Sequence, residues 1–210
     1  ITVPITDNNI VELDETFLIN LTNLQANGAD VIIGDNQSTV TILDNDHATI
    51  SINDVSEDED NGTVTLTVSL DQPVAATITA DFATADLSAI APVDYTALTG
   101  TLTFDPGVQS QTITIPLIDN ELVEVDRTFH VNLTNLQVNG FDVSLGVFQA
   151  TVTILDDDQS TISINDISID EDAGMALIDV TLDKPVEETV TVEYATANQT
   201  AFDPDRKSVV

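Results

Sequence analysis

Cysteine and tryptophan are absent from the 210 residues, and only four residues are Lys or Arg. Without cysteine there is no disulfide framework, no thiol nucleophile and no Cys-based zinc site. The four basic residues face 37 Asp and Glu, a formal charge of −33. Such a field repels nucleic acid and anionic lipid surfaces, so nucleic acid is excluded as a partner. It suits cations or basic partners. No apolar run approaches the ~18 residues that a spanning helix needs, which leaves no segment for direct membrane insertion. No signal peptide precedes the first strand-like residues, and the chain is expected to be cut from something longer. Aromatic residues make up 4%. With so few, and no nucleophile–base pair in view, an enzyme is not expected. Acid pairs such as Asp119 and Glu124 are the nearest approach to glycosidase carboxylates, which require defined separations.

What is present is a repeat. Thr39–Asp54 reads TVTILDNDHATISIND and Thr151–Asp166 reads TVTILDDDQSTISIND, an offset of 112 residues. The same offset relates Ile1-Thr2-Val3-Pro4 to Ile113-Thr114-Ile115-Pro116, and Phe82-Ala83-Thr84-Ala85 to Tyr194-Ala195-Thr196-Ala197. In each seam a strand ends in a carboxylate-rich triplet and the next strand begins at once, with no linker. The division that follows is 1–46 as the back part of one module, 47–158 as a complete module, and 159–210 as the front part of a third. The ending Asp205–Val210 breaks the pattern.

Within 47–158 nearly every segment alternates apolar and polar residues with period 2, the mark of half-buried strands. Strands are expected at 48–53, 63–70, 77–84, 99–104, 111–118, 128–137 and 147–155. Gln72-Pro73, Asp105-Pro106-Gly107 and Asn139-Gly140 are turn signals, and Pro116 points to an edge or a bulge. Seven short strands in about 110 residues, with no 3.6-residue periodicity, describe an all-β chain of tandem immunoglobulin-like β-sandwich modules.

If successive strands reverse direction, loops 54–62, 85–98, 119–127 and the tail 156–158 share one end of the sandwich. Those loops carry 14 acids in 35 positions, against 3 in 21 at the other end. Arg127 is the only Lys or Arg of the module. Converging carboxylates repel and raise one another's pKa, so a compensating cation is implied. Calcium takes 6–8 oxygen ligands in flexible geometry and suits carboxylates delivered by several loops. Zinc is disfavoured, because it wants Cys or His. His47 and His130 are read as surface residues. The competing reading is a solvated acidic surface, since Asp and Asn are common in turns.

These motifs carry a family resemblance. Asp119-Asn120-x-x-Val123-Glu124-x-Asp126-x-Thr128-Phe129, followed by Leu133-Thr134-Asn135 and by Ala150-Thr151-Val152-Thr153-Ile154-x-Asp156-Asp157-Asp158, resembles the Calx-beta repeat. So do Asp7-Asn8-x-x-Val11-Glu12-x-Asp14-Glu15-Thr16-Phe17 and Thr41-Ile42-Leu43-Asp44-Asn45-Asp46 in the earlier copy. The resemblance covers essentially the whole chain. It implies a seven-stranded immunoglobulin-like sandwich that binds calcium ions at one end. Carried over residue by residue, it places calcium ligands at Glu59, Asp94, Asp119, Glu124, Asp156, Asp157 and Asp158. Two positions depart from the pattern of the sodium–calcium exchanger modules: Asn120 replaces an acid and can still coordinate, whereas Arg127 replaces a glutamate and cannot. Fewer or weaker ions are expected for that reason. Glu171 and Asp203 are the surviving candidates in the third piece.

The function implied is a non-catalytic calcium-binding structural module of a tandem array. Its partners would be neighbouring repeats of the same protein and an unknown adhesion ligand. The location implied is secreted or at the cell surface. The alternative is a metal-free adhesive or spacer module whose acidity serves solubility.

Overall fold

The structure, a computed structural model, describes residues 1–197 and 199. Contacts divide it into two compact units: Ile1–Asn120 with Val125–Asp157, and Glu121–Glu124 with the described residues from Asp158 on. The first unit opens with the antiparallel pair β1 (Glu15–Asn20) and β2 (Gln37–Ile42). Nine further strands follow: β3 (Ala48–Ile52), β4 (Val55–Asp58), β5 (Thr63–Leu70), β6 (Ile78–Asp86), β7 (Thr99–Phe104), β8 (Ser110–Pro116), β9 (Arg127–Gln137), β10 (Val143–Leu145) and β11 (Gln149–Leu155). They form a four-stranded sheet ordered β10-β3-β5-β8 and a five-stranded sheet ordered β4-β11-β9-β6-β7.

Alternation in the sequence becomes alternation of burial. Along β5, Val64, Leu66, Val68 and Leu70 are buried while Thr63, Thr65 and Thr67 face water. On β9 it is Phe129, Val131 and Leu133 that turn inward. These residues join Ile113, Ile115, Val152 and Ile154 in one apolar core. Each such side chain contributes about 1.5–3 kcal/mol by leaving water. Tyr95 and Phe129 stack within that core, with ring centroids 4.0 Å apart. Two facing sheets around one core make the expected sandwich.

Three expectations about strands are corrected. The loop expected at 54–62 contains a strand, β4, because the chain crosses at Asn53-Asp54 from one sheet to the other. β3 pairs antiparallel with β5, and β4 pairs parallel with β11. Asp54 Oδ1 pins the crossing by accepting the Thr151 N–H at 2.7 Å. The loop expected at 138–146 contains β10, which lies parallel beside β3. Ile1–Pro4 repeats the sequence of β8 yet is not a strand. β8 owes its extension to β5, with which it pairs from Ser110 to Pro116, and among the described residues no strand pairs with Ile1–Pro4. Pro116 does end an edge strand.

The second unit carries β12 (Ile162–Ile164) and β13 (Val180–Leu182), an antiparallel pair. Its apolar residues, including Ile162, Ile164 and Val180, remain exposed. Among its described residues the unit pairs two strands and buries no apolar side chain. Asp203 and the divergent ending Asp205–Val210 lie outside the described residues. No helix of the described chain is long and apolar enough to cross a membrane.

Candidate metal centre

Local sequence explains how Glu59 reaches the interior. A short 3-10 turn, Glu59–Asn61, follows β4 directly. Gly62 closes it at φ 67°, donating its N–H to the Glu59 carbonyl at 3.0 Å. A left-handed φ is costly for residues with a Cβ, and glycine avoids that cost. The turn leaves the Glu59 side chain 5% exposed. Because β4 runs parallel to β11, with Asp58 opposite Leu155, the acid that follows β4 arrives beside the acids that follow β11.

Three backbone bonds draw in the remaining loops. Leu117 N–H donates to Gly62 O at 3.0 Å, Ile118 N–H to Asp94 O at 3.0 Å, and Thr96 N–H to Pro116 O at 2.9 Å. The loop carrying Asp94, the turn carrying Glu59 and the segment entering Asp119 are thereby stitched together. The result is a trio, Glu59, Asp119 and Asp157, with one carboxylate oxygen of each within 4.8 Å of the others. Asn120 Nδ2 donates to Glu59 Oε2 at 3.3 Å.

Asp156 gives the most direct test of fit to a cation. Its Oδ1 is buried and has no hydrogen-bond partner, while its backbone N–H donates to Asp126 Oδ1 at 3.4 Å. A buried acceptor without a donor carries its full desolvation cost. One Asp156 oxygen lies within 4.8 Å of a Glu59 oxygen, and a residue with an unpartnered buried acceptor in that position fits a hard cation, with a donor set that is all oxygen.

Asp94 is brought close but is otherwise engaged. One oxygen accepts the Ile90 N–H at 2.6 Å, and the other lies 3.4 Å from Arg127 Nη1. Its side chain is 7% exposed and that of Arg127 19%. The guanidinium supplies positive charge to Asp94 from within the protein. Glu124 and Asp158 fall in the second unit, where Asp158 Oδ1 lies 2.5 Å from Lys184 Nζ. Glu171 opens a 3-10 turn there and is exposed.

Sequence reasoning passed over two functional features. Asp126 was one acid among many, yet it holds the tail through Asp156. Its counterpart Asp14 makes the same bond to the Asp44 N–H at 3.1 Å, so the 112-residue offset was the available signal. The second is Asp86, which accepts the Tyr95 hydroxyl at 2.6 Å and the Ala91 N–H at 3.0 Å. The Tyr95 bond above all, then the Ala91 bond, holds the Asp86 carboxyl below the ordinary carboxylate range. Burial first, and then the Asp86 bond, pushes the Tyr95 hydroxyl up to about 12.

The earlier copy gathers acids in the same way. Asp7, Glu12, Asp44 and Asp46 line an open cleft of about 570 Å³. Asp46 is raised above the usual carboxylate range by desolvation, then by Asp44, Asp7 and Glu12. Of the histidines, His47 Nδ1 lies 2.9 Å from Asp142 Oδ1, and His130 lies on β9 against Thr151. Among the described residues neither joins the gathered carboxylates around Glu59.

The Calx-beta domain model matches residues 1–46, 47–158 and 159–207. Sodium/calcium exchanger 3 of Mus musculus is 30% identical over 149 residues, covering 61% of this chain and 16% of that protein. Sodium/calcium exchanger 2 of Homo sapiens is 34% identical over 145 residues, covering 60% and 15%. The chain thus spans only about a sixth of the length of the curated relatives it matches. Among solved structures, the apo-form Calx CBD1 domain is 30% identical with a TM-score of 0.49, covering 54% of this chain and 100% of that one. The calcium binding domain CBD12 of CALX1.1 is 29% identical with a TM-score of 0.48, covering 54% and 49%. These findings overturn the expectation of a secreted or cell-surface location, because the curated relatives that match are sodium/calcium exchangers.

Proposed function

Because the chain belongs to the Calx-beta domain family, we propose that it is a non-catalytic array of calcium-binding modules, with seams after residues 46 and 158. Calcium is held at the acidic end of residues 47–158. Glu59, Asp119, Asp156 and Asp157 are the ligands within one unit, with Asn120 beside them. Bound calcium supplies positive charge to these gathered carboxylates. The chain's residues do the rest. Gly62 lets the turn aim Glu59 inward, Asp126 holds the tail that carries Asp156 and Asp157, and Arg127 neutralises Asp94 without metal. The observation that carries this reading is the buried, unpartnered Oδ1 of Asp156, a residue gathered with Glu59, which itself clusters with Asp119 and Asp157.

Since Asp44–Asp46 lead straight into β3, an ion bound by the earlier copy stiffens that seam as well. The neighbouring repeats are the partners in this reading. Thermal unfolding of the chain in chelator and in millimolar calcium tests it. Calcium, which binds the folded form preferentially, raises the midpoint. The double variant Asp156→Asn with Asp157→Asn loses most of that rise while keeping its β-rich circular dichroism. Equal midpoints for the wild type in both conditions would favour a metal-free spacer.

A further inference from the structure

Within the first unit one valine of residues 1–46 is treated unlike its neighbours. Ile10 and Leu13 are 37% and 52% exposed, yet Val11 between them is 0% exposed. It belongs to the same apolar core as β5 and β9. What covers it is the turn after β5, where Val74 is 2% exposed. The two valines form a parallel bridge. Val11 N–H donates to Pro73 O at 3.0 Å, and Ala75 N–H donates to Val11 O at 3.0 Å. One residue thus satisfies both of its backbone groups across the turn, and buries its side chain there as well. The turn is braced from behind by Gly107 N–H, which donates to Val74 O at 2.9 Å.

The second unit contains the same arrangement 112 residues on. Val123 and Val186 form a parallel bridge. Val123 N–H donates to Pro185 O at 3.1 Å, and Glu187 N–H to Val123 O at 2.9 Å. The sequences repeat too: Val-Glu-x-Asp at 11–14 and 123–126, Asp-x-Pro-Val at 71–74 and 183–186. A bond pattern that recurs at the repeat length in two separate units is a property of the repeat. It is not an accident of one loop.

We propose that the Asp-x-Pro-Val turn of each repeat is a docking socket, and that its occupant is the Val-Glu-x-Asp valine of the preceding repeat. Docking is head to tail, since each repeat offers a valine from one loop and a socket at another. Such a heterologous contact leaves a free valine and a free socket at the ends of any array, so it extends without closing. The clasp is made of backbone bonds and apolar contact, and it forms without metal. The inference rests on the tandem-module reading above but not on calcium.

Hydrogen exchange of the full 210-residue chain, read residue by residue by NMR, tests it. In chelator, the Val11, Ala75, Val123 and Glu187 amides are protected while exposed-loop amides exchange freely. Val11→Asp places a carboxylate in the dry socket. Protection at Ala75 and residue 11 is then lost, while Val68 in β5 and Glu187 keep theirs. Should Val11→Asp also release Val68, Val11→Thr, which buries only a hydroxyl, gives the local result. Free exchange at Ala75 in the wild type overturns the clasp, as does full protection of Ala75 in both variants. Protection of Ala75 that appears only with calcium overturns metal-independent docking and leaves the calcium reading standing. A chain whose unfolding ignores calcium while Ala75 stays protected does the reverse.

Discussion

Arg127 is the only Lys or Arg of residues 47–158. Its guanidinium faces an Asp94 carboxylate that is 7% exposed, so removing it strands a buried charge. Arg127→Met is expected to cost about 3 kcal/mol, measured by denaturant unfolding in chelator. Arg127→Glu replaces the built-in cation with another carboxylate. That variant melts lower than wild type in chelator and gains more from calcium. Tyr95 and Asp86 give a pH signature. The Tyr95 hydroxyl is raised to about 12, so the unfolded chain ionises first, at about 10. Stability from this group is complete below pH about 10 and is lost as pH rises through about 12. Asp86 is lowered, so its contribution is present above the unfolded carboxylate range and disappears as pH falls below it. Tyr95→Phe, followed by unfolding against pH, is expected to flatten the alkaline loss.

At the scale of elements, the turn after β4 does the most positioning. Gly62→Ala forces a Cβ into a left-handed φ of 67°, at about 1–2 kcal/mol. It shifts Glu59, so its calcium-induced rise in melting temperature shrinks as well. Leu66→Ala in β5, away from the acids, costs about 2–5 kcal/mol and leaves that rise intact. The contrast shows what the sequence could reveal. Alternation marked Thr63–Leu70 and Thr99–Phe104 to the residue, because a half-buried strand must alternate. It could not mark the strand beyond the crossing at Asn53-Asp54, because Val55 is the only apolar residue of β4. A three-residue strand such as Val143–Leu145 has too little pattern to stand out beside Gly146. At the site, loop parity and resemblance named Glu59, Asp119 and Asp157, which the fold does gather. The Arg127–Asp94 pair and the Asp126 bond stayed hidden because they depend on which loops meet.

Across the whole molecule, the formal charge of −33 opposes compactness through self-repulsion. Raising sodium chloride in chelator is expected to raise the melting temperature by screening those charges. Screening is non-specific, whereas the acidic end as read here demands a particular ion geometry. Calcium should therefore exceed sodium chloride of matched ionic strength, and Asp156→Asn with Asp157→Asn should erase the difference without erasing the salt effect. The most direct measurement is isothermal titration of calcium into the chelator-stripped, dialysed chain at physiological salt. Saturable heat of binding is expected, and the Asp156→Asn, Asp157→Asn variant largely loses it. Heats at the dilution baseline for the wild type, or undiminished binding by that variant, would contradict it.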